Sequence, residues 1–231
     1  MAEPELLARV LMGPARPPKT VSEAEFARRR RERLFALRVP PKYAAAALDT
    51  IRLYGSSEQQ HATAKMVRVA RRLVGEYPEW LTTLVAFSGS VGTGKGHTCW
   101  AVARTLVEEH AAAVRFVELG DLVRDLRAAW NRDDLDERHE LKYWRELDVL
   151  IINDVSRHAF RGVSMQHLFD VLEQRINFGR PTILTTNEPD EELHDILGRA
   201  LWDRLTGFDG GLVDCGEESY RQLSTSERSV A

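Results

Sequence analysis

Between residues 89 and 97 the chain reads Gly89-Ser90-Val91-Gly92-Thr93-Gly94-Lys95-Gly96-His97. Glycines free the backbone to curl, so that successive N–H groups point inward at an anion. Lys95 can then reach the β- and γ-phosphates of a nucleotide as a point charge. The apolar run Leu84-Val85-Ala86-Phe87 precedes this loop, and a helix-like stretch from Thr98 to His110 follows it. That strand–loop–helix context makes all nine residues candidate nucleotide contacts, with the positive end of the helix dipole adding to the attraction. A Ser or Thr ordinarily follows the loop lysine, and its hydroxyl binds magnesium. Here that residue is Gly96, so the expectation is nucleoside-phosphate binding with altered metal chemistry.

A second set of polar residues closes apolar runs further on. Leu147-Asp148-Val149-Leu150-Ile151-Ile152 leads into Asn153-Asp154. An Asp-Glu pair in that place would hold magnesium and activate the attacking water. Asn153 and Asp154 are the candidate metal residues, and Asn153, being neutral, holds a hard cation less well than a carboxylate does. Asp154, with the right charge on a shorter stem, is also the candidate catalytic residue that orients and deprotonates that water, with a helix cap or a buried carboxylate paired with Lys95 as its plainer roles. Pro181-Thr182-Ile183-Leu184-Thr185-Thr186 runs into Asn187. That residue is placed either near a γ-phosphate or as a turn former before Pro189. Arg204 and Arg221 are candidate phosphate-binding cations, or else ordinary surface charges.

These residues need a scaffold that brings strand ends together. Strand-like runs fall at 83–87, 114–118, 147–152, 181–186 and 211–215, with helical stretches near 97–110, 121–131, 137–146, 164–178 and 191–204. Such alternation implies a parallel five-stranded sheet between helices, an α/β core. Few residues follow the last run, so no helical lid beyond the nucleotide is expected. Ahead of the core, residues 1–20 are rich in proline and read as a flexible tail. Ser22 and Glu25 have capping-box spacing for a helix over about 23–37. That helix carries Arg28 to Arg31 and Arg33, with Phe26, Leu34, Phe35 and Leu37 as its apolar contacts. A second capped helix follows Ser57, with Gln60 three residues on. Its apolar stripe is Ala62, Met66, Val69, Ala70 and Leu73. The expected division is 1–38, a tail and basic helix that bind a partner, and 39–231, the nucleotide-binding domain.

The 231 residues include 43% hydrophobic and 29% charged side chains, ordinary for a soluble globular protein. No apolar run has the length of a membrane span, and the N-terminus lacks the order of a signal peptide. Two cysteines, Cys99 and Cys215, fit a reducing cytoplasm as small core residues. Net charge is −3, but residues 1–55 are basic and the rest acidic. A basic arm suits an acidic partner surface or nucleic acid, or else is a solvated helix face.

Taken in order, the pieces resemble the AAA+ ATPases of the DnaC-like helicase-loader group and their IstB-like relatives. The likeness runs from Val39-Pro40-Pro41-Lys42-Tyr43 through Gly89–His97, Leu147–Asp154 and Arg180–Asn187. It continues through Leu197-Gly198, Asp203-Arg204-Leu205 and Ser219-Tyr220-Arg221. It implies a P-loop AAA+ core, ATP or ADP with magnesium, and action as a homo-oligomer. It further implies a replicative DNA helicase and single-stranded DNA as partners, or a transposase in the IstB-like branch. By the same likeness Asn187 senses the γ-phosphate, Arg204 reaches a neighbouring subunit's nucleotide, and Arg221 is a second sensor. The departures at Gly96 and Asn153 imply slow or absent ATP turnover.

Overall fold

The computed structural model describes residues 22–80, 83–130, 141–157, 166–207 and 211–223. The proline-rich tail expected at 1–20 lies outside them. Five parallel strands, β1 (Leu84–Ser88), β2 (Val114–Glu118), β3 (Val149–Asn153), β4 (Thr182–Thr186) and β5 (Leu212–Asp214), form one sheet in the order β2-β3-β4-β1-β5. The helices are α1 (Glu23–Leu37), α2 (Ser57–Gly75), α3 (Lys95–His110), α4 (Leu119–Trp130), α5 (Gln166–Asn177) and α6 (Asp190–Thr206), with a further helical segment at 141–146.

Strand side chains alternate between two apolar layers. Val85, Phe87, Val149 and Ile151 face a core shared with α2, α3 and the end of α1. Leu84, Ala86, Leu150 and Ile152 face the other core, with α4, α5 and α6. Burial on both faces is why these strands read as continuous apolar runs rather than as alternations.

The helix ends follow from local chemistry. Ser22 Oγ accepts from Glu25 N–H at 3.2 Å, as the capping-box spacing predicts. The second cap is Ser56, not Ser57, with its Oγ accepting from Gln59 N–H. Lys95 itself opens α3, because Gly94 takes the left-handed backbone (φ 95°) that turns the loop into the helix. Gly198 (φ 68°) kinks α6 midway. Phe35 departs from its expected role: it is 84% exposed, and Leu37 with Leu34 makes the core contact of α1. Among the described residues, a single 3-10 turn at Tyr220–Gln222 follows β5.

Among the described residues, one charged side chain is wholly internal. Arg175 on α5 is 0% exposed. It donates to the carbonyls of Trp144 (2.9 Å), Leu147 (2.8 Å) and Pro181 (2.7 Å) and to Thr182 Oγ1 (3.0 Å). Burial pulls its pKa down to about 9, so it stays charged at neutral pH. Its guanidinium ties the chain entering β3 to the chain entering β4. Arg175→Met strands those carbonyls without donors, and the expected loss is about 3 kcal/mol of unfolding free energy. Urea denaturation measures it, and an unchanged midpoint would remove the clamp role.

Candidate nucleotide site

Parallel strands bring their carboxyl ends to one edge, where open α/β sheets bind ligands. In this strand order β4 lies between β1 and β3. The loop after β1, Asn153-Asp154 after β3 and Asn187 after β4 therefore meet, with Glu118 at the end of β2 beside them.

Lys95 is 7% exposed, and its Nζ donates to the carbonyls of Gly89 (2.6 Å) and Ser90 (2.7 Å). Thr93 Oγ1 also donates to Ser90 O, at 3.1 Å. Burial is the main cause holding the Lys95 pKa below the usual lysine value; the Asp154 charge opposes the shift and the Arg221 charge adds to it. Both residues are thus electrostatic neighbours of the loop lysine. Val91 at the loop tip is exposed. His97, in the first turn of α3, is held below the ordinary histidine pKa by burial.

The ends of β2, β3 and β4 form a connected polar chain. Asn187 Nδ2 donates to Asp154 Oδ1 at 3.0 Å. Thr185 Oγ1 accepts from Asp154 N–H (3.0 Å) and donates to Asn153 Oδ1 (2.7 Å). Asn153 Nδ2 in turn donates to the Glu118 carboxylate. Gly96 faces this chain: a Cβ there would lie 3.9 Å from Asn153 Oδ1 and 3.4 Å from the Tyr43 hydroxyl. The two departures from the usual pattern therefore oppose one another across the site. Tyr43 stacks on Trp100 and meets His97 edge-on, which fills the space that Gly96 leaves. Among the described residues, no group of three or more His, Cys, Asp or Glu is arranged to hold a metal alone. Two carboxylates, Glu118 and Asp154, still flank Asn153, and hard oxygens of this kind suit magnesium shared with phosphate oxygens.

Sequence reasoning missed two features. One is Glu118. The other is the strap of residues 215–220, which runs along the loop. Ser90 N–H donates to Gly216 O, and Tyr220 N–H to Gly92 O, each at 3.0 Å. Buried Gln59 on α2 holds the strap, donating to Cys215 O (2.9 Å) and accepting from Glu218 N–H (3.0 Å). Its polar side chain one turn before Thr63, on the inner stripe of α2, was the available signal. The fold brings together every expected site residue except Arg204. That residue is exposed in the last turn of α6, and among the described residues no carboxylate pairs with it. Its neighbour Asp203 pairs instead with Arg199, at 3.7 Å.

A glycine-rich loop after β1, an asparagine after the adjoining β4, an acid after β3 beyond it, and helices on both faces define the P-loop AAA+ fold. The chain belongs to the family of IstB-like ATP-binding proteins, whose model matches residues 23–228. It is 24% identical to the replicative helicase loader DnaC of Escherichia coli (strain K12) over 158 residues, which are 68% of this chain and 64% of that protein. It thus spans somewhat less than two thirds of that relative. A crystal structure of the DnaC helicase loader superposes with a TM-score of 0.57 at 19% identity, covering 76% of this chain and 99% of that one. AMPPCP-bound DnaA from Aquifex aeolicus superposes with a TM-score of 0.61 at 18% identity, covering 83% and 53%.

Gly216 (φ 81°) lies so close to Gln59 that an added Cβ would overlap its carboxamide. Gly216→Ala is expected to cost about 2 kcal/mol of stability. It should also weaken nucleotide binding severalfold, although residue 216 is no part of the loop. Thermal unfolding with and without ATP tests this, and parent-like affinity would show that strap and loop are independent.

Proposed function

We propose that this protein is an ATP-binding loader or remodeller of a replicative DNA helicase, working as a homo-oligomer on helicase and single-stranded DNA. The observation that carries the reading is the gathering of Lys95, Asp154, Asn187 and Arg221 at one sheet edge. It occurs in a chain whose likeness to a helicase loader runs through 68% of its length. In this reading residues 89–97 hold the phosphates of ATP or ADP. Asn187 reads the γ-phosphate, Asp154 orients the attacking water, and Arg221 contacts the nucleotide from the strap. Arg204 stabilises the phosphates of a neighbouring subunit, a role suited to a planar and always charged guanidinium. Turnover is slow, because Gly96 and Asn153 replace a hydroxyl and a carboxylate on the metal side. A second reading, the regulatory ATPase of a transposase, is favoured by the IstB-like family match. The partner retained by the tagged protein decides between the two.

The basic helix supports a partner-binding role. Arg28 pairs with Glu25 and Glu32, Arg29 with Glu25, and Arg33 approaches Asp148 at 3.9 Å. Arg30 and Arg31 stay exposed, and Phe35 lies one turn beyond Arg31. Because Leu37 is part of the core, substitution tests this surface better than truncation does. Arg31→Glu with Phe35→Ala should leave ATP binding intact and weaken capture of the helicase at least tenfold, an aromatic–arginine anchor being worth about 2 kcal/mol. Unchanged capture would exclude α1 as the contact.

Two further variants separate binding from assembly. Lys95→Ala removes a charge-assisted contact and is expected to weaken ATP binding by about 10- to 100-fold in calorimetry. Arg204→Ala should keep the parent affinity but lose ATP-dependent assembly in sedimentation. Mixing the two proteins should recover part of it, since each supplies what the other lacks. Normal assembly of Arg204→Ala alone would reassign that arginine to the surface.

A further inference from the structure

The acid missing from position 153 has a counterpart one strand away. Glu118 ends β2 in register with Asn153, and its two oxygens accept from Asn153 Nδ2 at 3.1 and 2.9 Å. The orientation of that amide is fixed by its neighbours. Thr185 Oγ1 accepts from Asp154 N–H and donates its own proton to Asn153 Oδ1. The amide nitrogen is left facing Glu118, whose ionised carboxylate can only accept. An Asp at 153 would press a second carboxylate against the first, and two like charges so close resist joint ionisation. Positions 118 and 153 are therefore complementary: one carries the charge and the other the neutral donor. Among the described residues no Lys, Arg or His forms an ion pair with Glu118. It is exposed at the same sheet edge as the phosphate loop.

We propose that Glu118 supplies the negative charge for the divalent cation that accompanies the nucleotide, with Asn153 as the neutral spacer that aims it. This rests on nucleotide binding at residues 89–97. The ligand class is a hard cation such as magnesium, shared between phosphate oxygens and a carboxylate. The charge lies one strand further from the phosphate loop than position 153, so it acts as an outer partner and gives a moderate metal dependence.

The test is calorimetry of the full chain with a non-hydrolysable ATP analogue, in magnesium and in EDTA. The parent should bind about tenfold more tightly in magnesium. Glu118→Gln keeps an acceptor for Asn153, so it should lose most of that ratio while its affinity in EDTA stays within twofold of the parent's. Glu118→Gln combined with Asn153→Asp moves the carboxylate one strand inward and should restore the ratio. A parent-like magnesium ratio in Glu118→Gln overturns the proposal. Equal weakening of that variant in both buffers overturns it too, since that marks a structural role. So does a double variant that fails to recover. No binding by the parent in either buffer removes the nucleotide site itself, and this proposal with it.

Discussion

Strand β4 is the spacer on which the site depends. It pairs with β1 on one side and β3 on the other, in parallel, with Thr182 opposite both Leu84 and Leu150. Two strand widths of about 4.8 Å each therefore separate the phosphate loop from the Asn153-Asp154 end. That gap suits a phosphate chain with a cation between them. The polar ends of β4 also do the cross-linking: Thr185 bonds to Asn153 and Asp154, and Thr186 Oγ1 donates to Val155 O at 2.7 Å. A threonine side chain on β4 thus sets the direction of an amide on β3, and that amide sets what β2 must present.

Much of this was legible in the sequence. The strand at 149–153 is buried on both faces, which leaves a run of apolar residues that no surface strand would carry. The loop announced itself through glycines at the turn into α3. The first helix gave its start through Ser22 and Glu25. What escaped reading depends on distant pairing. Glu118 looks like an ordinary polar end of a half-buried strand until β3 is laid beside it. Gln59 looks like a helix-surface residue until the chain returns 156 positions later to accept its proton. Phe35 is exposed while Leu34 and Leu37 make the core contact of α1, and hydrophobicity alone does not say which apolar residues of a helix make that contact. Arg204 stays outside the site because the last turn of α6 carries it, exposed, away from the sheet edge that gathers the other expected residues.

Buried polar groups divide into two kinds here. Arg175 is saturated by carbonyls and a hydroxyl, and its work is to join the chain entering β3 to the chain entering β4. The Gln59 amide joins α2 to the strap in the same manner. Both sit where an apolar residue would pack but leave backbone groups without partners. The sheet edge is the other kind. There the polar groups are linked in series and partly exposed, so they remain able to change partners.

Lys95 shows what such an exchange entails. Its ammonium rests on two carbonyl oxygens of its own loop, at 2.6 and 2.7 Å, so an incoming ligand competes with contacts already made rather than with water. A neutral acceptor gains little by displacing two well-placed carbonyls, while a multiply charged phosphate gains Coulomb energy in a half-dry setting. The resting contact is therefore a threshold. It screens ligands by charge before shape is consulted, and any nucleotide fragment without a phosphate in reach of the lysine falls below it.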